Sequence, residues 1–114
     1  CRDYKNAKAI NFDDLNSTKS YDKDFAYNQS KLANLLFGLE LSERLKDKNI
    51  TVNCVDPGYT FSDLMRHSSL YTSSFSPIRY IFKTFLKTPE MGAQTVIFGC
   101  ISDELNSVTG NYFR

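Results

Sequence analysis

Tyr27 and Lys31 stand four residues apart in the stretch YNQSK. On a helix, side chains at i and i+4 share a face, so the ammonium comes to lie beside the phenol. A positive charge there favours phenolate and lowers the phenol's pKa from its usual value of about 10. Such a pair suits proton transfer to or from an alcohol or carbonyl oxygen near neutral pH. The same spacing occurs at Tyr4 and Lys8 in YKNAK, but that segment is polar and has no helical stripe around it. Without a helix, four residues do not set two side chains together. Spacing alone also describes an aromatic residue at a helix start with a lysine reaching for water.

The elements around the pair carry more information. From Tyr27 to Lys46 the apolar residues Leu32, Leu35, Leu36, Leu39 and Leu45 recur with a helical period, which predicts an amphipathic helix burying that face. Asp22 or Asp24 is placed to cap its start. Glu40 and Arg44 form a favourable i,i+4 pair on its wet side, and Asn49 suits its end. ITVNCVDPG then gives a short β-branched run closed by Pro57-Gly58, the pattern of a buried strand in a parallel sheet. Helix, short loop, apolar strand and turn make half of a βαβ unit. In open α/β sheets, ligands bind at the carboxyl ends of strands. A Pro-Gly turn there admits close approach of a flat ring.

Residues 59–76 read as a loop rich in serine and aromatic residues, and SPIRYIFKTFLK as a helix opened by Pro77. A further helix starts at Thr88, with Pro89 at its first position and Glu90 in its first turn. Val96, Ile97, Cys100 and Ile101 are its expected apolar face, and VTGNYF reads as a turn into another strand.

Composition narrows the function classes. The chain has 114 residues, 41% hydrophobic and 24% charged, which suits one globular domain. Lys and Arg number 14 against 13 Asp and Glu, so no strong field draws nucleic acid. The three cysteines Cys1, Cys54 and Cys100 are odd in number and widely spaced, which argues against a disulfide framework or a zinc site. Cys54 and Cys100 are read as core residues. Asp13-Asp14 lacks partners at metal-ligand spacing, and no metal is expected. No apolar run approaches the roughly 20 residues that span a bilayer. His67, the single histidine, sits in a polar loop.

Four ordered blocks, YNQSKLANLLFGLELSERL, ITVNCVDPGYTFSDL, KTPEMGAQTVIF and VTGNYF, resemble the C-terminal part of a short-chain dehydrogenase/reductase, nearest its retinol dehydrogenase branch. The resemblance covers nearly the whole chain. It implies an α/β fold, the C-terminal part of a Rossmann-type doubly wound parallel sheet. Residues 1–114 would then be a partial domain whose glycine-rich cofactor-binding half is not in this stretch. It implies an oxidoreductase that interconverts an alcohol and a carbonyl with NADP or NAD, NADP being favoured. By the same resemblance Tyr27 is the catalytic acid/base, and Lys31 holds the nicotinamide ribose and lowers the tyrosine's pKa. Pro57, Gly58 and Thr60 line the nicotinamide, and Leu64, Met65 and His67 fall where the family builds its substrate lid. The family's catalytic serine falls at about Cys1, where a thiol would be a weaker donor. Expected partners are a small lipophilic alcohol or aldehyde and a second copy in a homodimer, with no nucleic acid. The expected location is intracellular, cytoplasmic or held to an internal membrane by a segment outside this stretch. The competing expectation is a truncated, inactive remnant that acts only in binding or dimerisation.

Overall fold

In the computed structural model, residues 5–62 and 84–114 are described. Two helices and two short strands carry the architecture. Helix α1 spans Lys23–Arg44, β1 Cys54–Val55, α2 Pro89–Ile101 and β2 Tyr112–Phe113. The strands run parallel, with Cys54 opposite Tyr112 and Val55 opposite Phe113. A parallel pair needs a crossover, and α2 lies within it.

Both helices start where the sequence marks them. Asp22 is extended, and its carboxylate accepts from the Phe25 amide at 2.7 Å, so α1 begins four residues ahead of Tyr27. Thr88 caps α2 by accepting from the Met91 amide at 3.3 Å, with Pro89 next. The Thr88 hydroxyl and the backbone N–H of Glu90 also hold the Glu90 carboxyl below its usual range. Arg44 pairs with Glu40 at 2.7 Å, and Asn49 adopts the left-handed conformation that ends the α1 region at φ 56°.

Adjacent strand residues point to opposite faces of a sheet. Cys54 meets Gly38 of α1, and a Cβ on Gly38 would stand 2.5 Å from the Cys54 Sγ. Val55 meets Gly99 of α2, where a Cβ would stand 3.0 Å from Cγ2. The two helices therefore cover opposite faces of β1. This gives a helix–sheet–helix sandwich held at close range by glycines.

Two expectations change. The predicted strand ITVNCV is paired as a strand only at Cys54 and Val55; the Val52 N–H donates to the Thr109 hydroxyl, its carbonyl accepts from the Gly110 N–H, and the Asn53 side-chain amide donates to the Val108 carbonyl. The leucine face of α1 is not buried: Leu36 and Leu39 are exposed, Leu32, Leu35 and Leu45 half-buried. Val96, Ile97, Cys100 and Ile101 of α2 are likewise exposed rather than core, and Cys54 is half-buried. Among the described residues no apolar side chain is fully buried. The cause is area, since two strands of two residues cannot cover an apolar stripe several turns long. What is buried is polar or glycine: Gln29, Gly38, Ser42, Asp56 and Gly92. Of the helix expected over SPIRYIFKTFLK, residues 76–83 lie outside the described residues, and Lys87 at its expected end instead bridges Thr60.

The segment before α1 is organised by one carboxylate. Asp14 accepts from the amides of Thr18 (2.7 Å), Lys19 (3.0 Å) and Ser20 (3.3 Å), and from the Thr18 hydroxyl (3.0 Å). Desolvation pushes its pKa up, but these bonds outweigh that and hold it below the ordinary 3.8. A depressed carboxyl stabilises the fold fully above its unfolded value and loses that contribution as pH falls through the folded one. The Thr18 and Lys19 amides are thus expected to keep their hydrogen-exchange protection ratio down to about pH 4. Below that they should lose it ahead of α1, and Asp14→Asn should remove the pH dependence.

Candidate functional site

The turn that follows β1 is built around one buried carboxylate. Asp56 is 3% exposed. Its Oδ1 accepts from the Gly58 amide at 3.0 Å, and its Oδ2 accepts from the Tyr112 hydroxyl at 2.7 Å. Burial pushes its carboxyl up, and the Tyr112 and Gly58 bonds pull it down. Gly58 has φ +78°, a backbone region in which any side chain costs energy. The Lys87 ammonium donates to the Pro57 carbonyl at 3.2 Å, and its methylenes cover the space above Gly58.

Thr60 continues the turn. It bridges in parallel to Lys87, through Phe61 N–H to the Lys87 carbonyl at 2.8 Å and Lys87 N–H to the Tyr59 carbonyl at 3.0 Å. Its side chain packs against Gly92, where a Cβ would come to 2.6 Å from the Thr60 Oγ1. That hydroxyl is buried and has no hydrogen-bond partner. A buried unpaired hydroxyl is costly and marks a place where a polar group is wanted.

Tyr27 is half-buried in the second turn of α1. The Lys31 Nζ lies over its ring, 5.2 Å from the centroid, within the range of a cation–π contact. The expected pair therefore forms, with the cation at the ring face. Between them Gln29 points another way. It is buried, and its Oε1 accepts from the Asn11 amide at 2.7 Å, which ties the preceding segment to the helix.

Helix geometry relates the pair to the turn. Tyr27, Lys31, Gly38 and Ser42 fall within about 60° of arc on α1. Gly38 meets β1 at Cys54, and Ser42 meets Gly110, whose amide donates to the Val52 carbonyl. Going from Ser42 to Gly38 thus climbs from Val52 to Cys54, so α1 runs antiparallel to the strand. Continued along the helix, Lys31 lies about 10 Å and Tyr27 about 16 Å beyond Gly38. β1 leads in the same direction into the Pro57–Gly58 turn. Tyr27 and Lys31 thus lie on the side of the Gly38–Cys54 contact toward which β1 runs. Pro57, Gly58 and Thr60 form one turn, whereas Tyr27 and Lys31 belong to another element. Leu64, Met65 and His67 lie outside the described residues.

Two participants were not anticipated. Lys87 and Tyr112 join the turn through pairings across the fold, for which the sequence holds no local signal. The local bond of Asp56 follows from an aspartate ahead of Pro-Gly, but its burial does not. Among the described residues no group of histidine, cysteine or acidic side chains is arranged to hold a metal.

No family model matches the chain. Curated relatives do. The chain is 46% identical over 104 residues to human retinol dehydrogenase 14, covering 91% of this chain and 31% of that protein. It is 43% identical over 107 residues to human retinol dehydrogenase 13, with 91% and 32% covered. It is 42% identical over 104 residues to human retinol dehydrogenase 12, again with 91% and 32% covered. The chain thus spans about a third of the length of the curated relatives it matches.

Proposed function

We propose, for a chain that belongs to the short-chain dehydrogenase/reductase family beside its retinol dehydrogenases, that it forms the catalytic, C-terminal part of an NAD(P)-dependent oxidoreductase acting on a lipophilic alcohol or aldehyde. The relatives' names suggest retinol and retinaldehyde as the substrate class. The observation that carries the reading is the Lys31 ammonium over the Tyr27 ring, on a helix that runs antiparallel to the strand leading into the Pro57–Thr60 turn.

Each residue has a role in this reading. In the reducing direction the Tyr27 phenol gives its proton to the carbonyl oxygen. In the oxidising direction the phenolate takes the proton from the alcohol. Lys31, with its charge over the ring, favours the phenolate and offers a donor to a ribose hydroxyl. A nicotinamide, when bound, supplies the hydride chemistry. The residues of the turn fit such a group. The unpartnered Thr60 hydroxyl suits its carboxamide, and Pro57 and Gly58 offer a flat backbone surface. The glycine-rich turn that would hold the diphosphate belongs to a Rossmann sheet of which residues 1–114 would be one part. No helix among the described residues is long and apolar enough to cross a membrane.

The test is an assay of the longest open reading frame that encodes these residues. Retinaldehyde-dependent oxidation of NADPH, or of NADH, is the expected result. A protein that binds neither dinucleotide would be a remnant that keeps the shape of the site without its use.

A further inference from the structure

The Pro57 carbonyl and the Gly58 N–H belong to one peptide unit. Both ends of that unit are held by charged side chains: the carbonyl accepts from the Lys87 ammonium at 3.2 Å, and the N–H donates to the Asp56 carboxylate at 3.0 Å. The charges match the peptide dipole, cation at oxygen and anion at hydrogen, so each bond is charge-assisted. A flip of this peptide would set like poles against both charges. Each holder is itself fixed. Asp56 is buried and accepts from Tyr112 of β2. Lys87 is fixed at its backbone by the bridge to Thr60.

We propose that Asp56 and Lys87 are positioning residues that lock the Pro57–Gly58 peptide in one orientation, so that the turn is shaped for a nicotinamide ring before the cofactor arrives. This rests on the oxidoreductase reading above. A turn free to flip would lower the fraction of molecules competent to seat the ring and weaken binding by that fraction. The effect is confined to the nicotinamide end.

The test compares two ligands on the full open reading frame. One is the oxidised dinucleotide the protein prefers. The other is the matching fragment without nicotinamide, ADP-ribose for NAD+ or its 2′-phosphate for NADP+. Lys87→Met is expected to weaken the dinucleotide about tenfold, the loss of a hydrogen bond to a charged group, while the fragment binds as before. Asp56→Asn keeps an acceptor for the Gly58 amide and should lie between parent and Lys87→Met. Asp56→Ala should match or exceed Lys87→Met. Faster hydrogen exchange at the Gly58 amide in Asp56→Ala, without cofactor, is the second expected readout. Fragment binding serves as the control for folding. Unchanged dinucleotide affinity, or equal weakening of both ligands, overturns the clamp while leaving the oxidoreductase reading standing. A parent that binds neither ligand overturns that reading, and the clamp's role with it.

Discussion

Tyr27→Phe is expected to lower retinaldehyde turnover by roughly 10²- to 10⁴-fold, the usual worth of a positioned acid or base, while dinucleotide affinity and melting temperature stay near those of the parent. The substitution removes one oxygen and leaves the ring. The Lys31 ammonium sits over that ring, 5.2 Å from its centroid, and a phenyl ring offers it a comparable face. The cap at Asp22 and the Gln29 bond to Asn11 lie elsewhere on the helix. In the oxidoreductase reading, the oxygen removed is the one that exchanges a proton with the substrate. Steady-state kinetics beside thermal unfolding separate the outcomes. A fall in kcat with an unchanged melting temperature supports the role. Parent-like kcat would make Tyr27 a packing residue and return the YxxxK spacing to coincidence.

The second large effect is a reversal of sign at Gly38. In a helix interior alanine is normally better than glycine by about 1 kcal/mol. Here the new Cβ would stand 2.5 Å from the Cys54 Sγ, closer than real atoms approach. Overpacking of this kind costs about 1–3 kcal/mol, so Gly38→Ala is expected to destabilise by up to about 2 kcal/mol despite its better propensity. The clash is with one atom, which makes it separable. In a Cys54→Ala background the sulfur is gone, and the same Gly38→Ala change should turn stabilising by up to about 1 kcal/mol. Denaturant unfolding of the four proteins in this cycle measures the coupling. Additive effects would mean that α1 and β1 do not meet at these two residues.

The local chemistry of the fold was legible in the sequence, and its long-range closure was not. Asp22, Thr88 and Pro89 act within three residues of themselves, so their positions announce the helix starts. Asp56 ahead of Pro57-Gly58 likewise announces its own turn. The Tyr27–Lys31 pair follows from helical spacing, as does the Glu40–Arg44 ion pair. The same periodicity misleads about burial. It orders the leucines of α1 on one face but does not say how much sheet is there to receive them, and among the described residues that sheet is two strands of two residues each. The glycines at 38, 92 and 99 carry no periodic signal, yet they set the distance between layers. Lys87 reads as one surface lysine among many until the bridge to Thr60 brings it over the Pro57 carbonyl.

The parallel ladder has a consequence in time. The bonds that close it join residues 55 to 58 positions apart, from Asn53 to Val108 and Asn111, and the Asp56–Tyr112 bond spans 56. Helix α1 forms from contacts within a turn, whereas these wait on closure of a long chain segment, which is slow. During synthesis Tyr112 leaves the ribosome some seconds after Asp56, at the usual rate of about 5–20 residues per second. Throughout that interval the Asp56 carboxylate lacks the hydroxyl that helps to bury it. The turn that shapes the site therefore matures only after β2 has docked, and its order reports that docking.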